Sequence, residues 1–176
     1  MIKRRECFSF SHSMLIVFLL LISGCAPVIS KQVRDQARPD IAFEEVLSEP
    51  EQYKDRMIIL GGIIIETKNT KEGTFLEVLQ CPVGYRGKPK NVDETGGRFL
   101  ALDSRYLDGD VFAKGRSVTI AGEIQGKRTL PLGEIEYNYP LIYVKEIYLW
   151  PVEKNYPSRY YYYNDYWWWR SHYLYY

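Results

Sequence analysis

Between residues 56 and 150 the chain is a succession of short apolar runs divided by turn residues, which confines it to a small, mainly β architecture. Residues 56–67 (RMIILGGIIIET) are apolar and β-branched, with Gly61-Gly62 at their centre. Glycines inside a strand mark a bulge, a sharp bend or a close backbone approach, as at the corner of a small barrel. Residues 69–73 form a turn and 74–81 (TFLEVLQC) the returning strand of a hairpin. Residues 83–97, rich in Gly and Pro, make a long excursion before a third strand at 98–103. From 117 to 125, Val118, Ile120 and Ile124 face one way against Thr119, Glu123 and Gln125. Residues 133–138 repeat that alternation, and 141–150 (LIYVKEIYLW) form the last strong strand. The pattern predicts a five-to-six-stranded, partly open OB-like β-barrel with one short helix, and a small sandwich is the alternative. The helix is expected around Phe43, Val46 and Leu47, which share a face. Asp40 is its N-cap, Glu44 and Glu45 lie near its positive end, and Pro50 closes it.

The amino-terminal residues carry a different signal. Lys3, Arg4 and Arg5 precede an uninterrupted apolar run from Met14 to Ile22, followed by the small residues Ser23 and Gly24. That order is a secretory signal peptide, too short to span a bilayer, where about 20 apolar residues are needed. Ile22-Ser23-Gly24-Cys25 resembles the lipobox of bacterial lipoproteins. The resemblance implies cleavage between Gly24 and Cys25, a diacylglyceryl group on the Cys25 sulfur and an acyl chain on the new amino terminus. Lipoproteins kept in the inner membrane usually carry aspartate after the cysteine. Ala26 stands there instead, so the expected destination is the outer membrane. Residues 25–39 are expected to be a lipidated, flexible stalk.

Loss of residues 1–24 lowers Lys+Arg from 23 to 20 and Asp+Glu from 22 to 21, leaving a formal charge of −1. A near-neutral chain lacks the clustered cations that nucleic acid requires, so no nucleic-acid partner is expected. Cys7 leaves with the signal and Cys25 is the lipid site, so Cys81 has no intrachain partner. A buried, inert thiol fits Cys81 better than a redox role, since no basic neighbour in sequence would lower its pKa.

The stretches Gly96 to Ala101, Leu107-Asp108 and Gly115 to Gly122 resemble the Slp family of outer-membrane lipoproteins. The likeness continues through Gly133 to Leu141 and Leu149-Trp150-Pro151, and Pro50, Tyr53 and Gly61-Gly62-Ile63 also fit. It covers about residues 40–151. Asp110-Val111 departs from it, where a proline is expected after the Leu-Asp pair. The resemblance implies a Gram-negative cell-envelope protein associated with starvation and stationary phase. It brings no defined biochemical activity.

Residues capable of chemistry are sparse. The mature chain has one histidine, His172, too remote in sequence for a Ser-His-Asp or Cys-His arrangement. His172 and Cys81 do not make a zinc set, and neither glycine pair has phosphate-loop spacing. Asp108-Gly109-Asp110 is better read as a solvated turn than a calcium loop, and Glu134 and Glu136 as an exposed strand face than an acid/base pair. The chain is therefore expected to be no enzyme and to need no cofactor or metal. The alternative function is an OB-like ligand or peptide binding module tethered in the periplasm.

Residues 152–176 hold nine of the 16 tyrosines and three of the four tryptophans, Trp167, Trp168 and Trp169. Three readings of this tail stand side by side: aromatic contacts at the membrane interface, binding of envelope polymers or proteins, and low-complexity drift at a flexible terminus.

Overall fold

The computed structural model describes residues 27–90 and 93–152. Two short helices, α1 (Lys31–Arg34) and α2 (Phe43–Ser48), precede five strands. These are β1 (Met57–Thr70), β2 (Gly73–Cys81), β3 (Gly97–Asp103), β4 (Ser117–Leu132) and β5 (Ile135–Leu149). They close in the order β1-β2-β3-β5-β4. Every neighbouring pair is antiparallel except β3 and β5, which run parallel through Leu100–Leu141, Ala101–Ile142 and Leu102–Tyr143. The mainly β, OB-like barrel of the sequence is present, and that three-pair seam completes its ring.

β1 serves two ladders. Its first half pairs with β4 from Met57 to Ile63, and its second half pairs with β2 from Gly61 to Thr70. Gly61 and Gly62 belong to both, so the strand turns the barrel corner there, as the sequence predicts. A Cβ on Gly62 would overlap the carbonyl oxygen of Leu79. The strand count is five because the runs at 133–138 and 141–150 are continuous in β5. Pro140, which lacks an N–H, sits opposite Lys127 where the β4–β5 register has just shifted, so the ladder tolerates it.

Ile58, Leu60, Ile64, Leu76, Val78, Phe99, Val118, Ile120, Ile124 and Ile142 fill the interior. α2 plugs one end. Val46 is fully buried, and Phe43 meets Phe99 edge-on with ring centroids 5.9 Å apart. Its N-cap is Ala42, without a side-chain bond, and not the expected Asp40. Asp40 is instead held by Arg38, which donates to it from Nε and Nη2 at 3.0 and 2.9 Å.

The expected flexible stalk is corrected for residues 27–39, which are docked on the barrel. Ile29 is 3% exposed, the Ser30 N–H donates to both Glu146 carboxylate oxygens at 3.1 Å, and the Arg38 N–H donates to the Met57 carbonyl at 2.8 Å. Ser30 also caps α1 through its hydroxyl. The apolar anchor was a single residue, Ile29, in a polar run without period, and its partner lies far along the chain.

Candidate functional site

Among the described residues, two surface regions bear on function. One lies on the barrel flank, where residues 27–39 meet the loop after β2. In that loop the Gly87 N–H donates to the Gly84 carbonyl at 2.8 Å, closing a turn with Tyr85 and Arg86 at its tip. Gly87 has φ +85°, the left-handed backbone that follows such a turn, and Val83 bridges Pro89 beneath it. The loop is bonded to the wall: the Thr119 hydroxyl donates to the Gly87 carbonyl at 2.6 Å and accepts the Trp150 indole N–H at 2.8 Å. The Lys88 ammonium lies 5.8 Å from the Trp150 ring centroid. At the tip, the Arg86 carbonyl accepts the Val28 N–H at 3.5 Å, tying the loop to the start of the described chain. Between them is a cavity of about 370 Å³ bordered by Ile29, Ile59, Tyr85, Arg34, Arg38 and Arg86.

The second region is the outer face of β1, β2 and β3, where OB barrels commonly bind ligands between the β1–β2 and β4–β5 turns. Here the β4–β5 ribbon folds over that face. The Arg128 guanidinium lies 4.6 Å from the Phe75 ring centroid and its Nη2 meets Glu72 at 3.2 Å. The Tyr139 hydroxyl donates to Glu77 at 3.3 Å, and the Tyr137 hydroxyl accepts the Arg98 N–H at 3.1 Å. What remains is about 220 Å³, below the usual range of about 300–1,000 Å³ for ligand pockets. Its aromatic ring is occupied by the chain's own arginine.

Several ionisable groups of the barrel are committed to structure. Arg98 donates to Glu77 at 2.6 Å, and this bond, with opposite charge, raises the arginine's pKa against burial. Asp103 is 2% exposed and takes three bonds from Arg105 at 2.7–2.9 Å. Burial pushes its carboxyl up, but those bonds outweigh it and hold the pKa below the usual carboxylate range. Cys81 is fully buried, and burial pushes its thiol up. The Asp108 carboxylate accepts the Asp110 N–H at 2.8 Å, which makes Asp108-Gly109-Asp110 a self-bonded turn without the expected proline. Glu136 lies on exposed β5 and Glu134 in the turn before it, so the two do not converge.

Gly24, Cys25, His172, Trp167, Trp168 and Trp169 lie outside the described residues. The structure therefore brings none of them to a site, but Pro27, two residues after Cys25, borders the flank cavity. The contribution of Tyr85 and Arg86 was missed in the sequence, where 83–97 read only as an excursion. The available signal was a turn, Gly84 to Gly87, enclosing an aromatic and a cation in a stretch without an acid.

The model of the family described as outer membrane lipoprotein Slp matches residues 22–176. The outer membrane protein Slp of Escherichia coli (strain K12) is 29% identical over 140 residues, 78% of this chain and 73% of the relative. The uncharacterized lipoprotein YeaY of the same organism is 26% identical over 133 residues, 76% and 68% of the two chains. Among solved structures, a small single-stranded DNA-binding protein from Streptomyces coelicolor aligns with TM-score 0.34 and 15% identity, covering 54% of this chain and 94% of that one. A likeness that distant carries no argument about ligands.

Proposed function

Because the chain belongs to the outer membrane lipoprotein Slp family, we propose that it is a non-catalytic barrel held at the outer membrane by acyl chains on Cys25. The docked segment 27–39 is the observation that carries this reading. A free stalk from Cys25 to Pro39 would extend about 50 Å, whereas docking leaves one residue, Ala26, and about 7 Å between Cys25 and Pro27. An anchor so close to a folded wall suits a protein whose work is done at the membrane surface. Each buried methylene contributes about 0.8 kcal/mol, one acyl chain alone binds marginally, and the three chains proposed here would hold permanently.

The non-catalytic part of the proposal is supported by the state of the reactive groups. Glu77 and Asp103 are spent in ion pairs, and the Cys81 thiol is buried and protonated at neutral pH. The covered β2–β3 face speaks against a ligand or nucleic acid held where OB barrels commonly take one. The tail bearing Trp167, Trp168 and Trp169 would add contacts to lipid or envelope polymers. The starvation association belongs to the same proposal, and abundance should rise on entry into stationary phase; a constant level would contradict it. The anchor is tested by Cys25→Ser in the full chain. The variant should be freed from membranes by high salt while the parent requires detergent, and detergent-dependent retention of the variant would overturn the reading.

A further inference from the structure

We infer that the Tyr85–Arg86 tip is a second, non-covalent membrane contact, seated among the phospholipid headgroups of the bilayer that holds Cys25. This rests on the acylation proposed above and goes beyond it by giving the barrel a fixed orientation.

Position comes first. Val28 lies three residues after Cys25, at most about 11 Å of chain, and its N–H meets the Arg86 carbonyl at 3.5 Å, so that carbonyl stays within about 14 Å of the lipid-bearing residue. Acyl chains on that cysteine place its sulfur at the headgroup level. The barrel flank that carries the tip must then face the bilayer.

The chemistry of the tip matches that layer. Tyr85 is 87% exposed and Val83 38%, while a tyrosine ring with its polar hydroxyl is favoured at the membrane–water interface. Residues 82–90 contain Arg86 and Lys90, besides Lys88 over the Trp150 ring, and no acid. The adjoining cavity is bordered by Arg34 and Arg86, and by Arg38 in its pair with Asp40, with no acid in its wall. The acids of the docked segment and its support are engaged: Asp35 by Lys31, Asp40 by Arg38 and Glu146 by the Ser30 N–H. Arg34, whose Nε donates to the Ile29 carbonyl at 3.0 Å, is held beside the cavity. Cations so placed attract anionic headgroups. The turn, the Val83–Pro89 bridge and the Thr119 bond hold the tip in one shape before any contact is made.

The experiment uses the acylated full-length protein in vesicles of phosphatidylethanolamine and phosphatidylglycerol. Cys81 is buried and Cys25 blocked by lipid, so Tyr85→Cys offers a reactive thiol for a nitroxide label. Ile135→Cys, at the first residue of β5 and the opposite end of β4 from Thr119, is the reference. The label at 85 should be shielded from an aqueous relaxation agent and reached by oxygen dissolved in lipid, and the label at 135 should stay open to water. Equal water access at both positions, or equal shielding, overturns the inference. In the Cys25→Ser chain, Arg86→Glu should weaken binding to anionic vesicles about 30-fold, at about 1 kcal/mol for each of two charges. An unchanged affinity also overturns it. A protein lacking both lipid mass and vesicle retention instead defeats the anchor itself, whereas a lipidated, retained protein with a wet tip defeats only this inference.

Discussion

Single residues set the corner, the pH response and the inertness of the barrel. Gly62→Val should cost about 1–3 kcal/mol, read as a lower urea midpoint, because its side chain would overlap the Leu79 carbonyl. An unchanged midpoint would refute that close approach. Asp103 has a folded pKa below its unfolded value of about 3.9. Its contribution is therefore complete above about pH 4 and is lost as pH falls through the lower folded value. Arg105→Ala should remove about 1 kcal/mol at pH 7, a low figure because the arginine side chain is 63% exposed and water replaces it in part. The variant should also lose stability at a higher pH than the parent during acid titration; coincident acid limbs would contradict the pairing. Gly61-Gly62 and the buried thiol were legible because each rests on one local property, backbone freedom or the absence of charged neighbours. Asp40 was misread because Arg38, two residues away, competes for the carboxylate that a cap would use.

Elements were readable where they repeat. β1 announces itself through a β-branched run and the first part of β4 through two-residue alternation, whose period depends only on the strand's own geometry, while β2 and β3 are short apolar runs set off by turn residues. The continuity of β5 through Pro140 and the docking of residues 27–39 depend on partners far along the chain, which no local period displays. Two predictions belong at this scale. Phe43→Ala removes the α2 plug from Phe99 and should cost about 3–5 kcal/mol, a large share of the about 5–15 kcal/mol typical of a domain. Thr119→Val leaves the Gly87 carbonyl and the Trp150 indole without their bonds and should cost about 1–3 kcal/mol. It should also raise hydrogen exchange at residues 83–90 above that of β2, and unchanged exchange there would show that the Thr119 bond does not hold the loop. The candidate site was hidden for the same reason as the docking: Tyr85, Arg86 and Val28 meet only after the loop is fixed to the wall.

The described residues form a small OB-like barrel with residues 27–39 docked on its flank, and its β4–β5 ribbon covers much of the face where OB barrels commonly bind ligands. Membership in the outer membrane lipoprotein Slp family places it in the cell envelope. The proposed membrane-facing flank depends on lipid at one sulfur, because only then does the short distance from Cys25 to the docked Pro27 bring that flank to the bilayer. Intact-mass spectrometry of the chain extracted from outer membranes tests this most directly. The account predicts a polypeptide beginning at Cys25 whose excess mass equals a diacylglyceryl group plus one amide-linked acyl chain; a chain beginning elsewhere, or bearing a free Cys25 thiol, would contradict it.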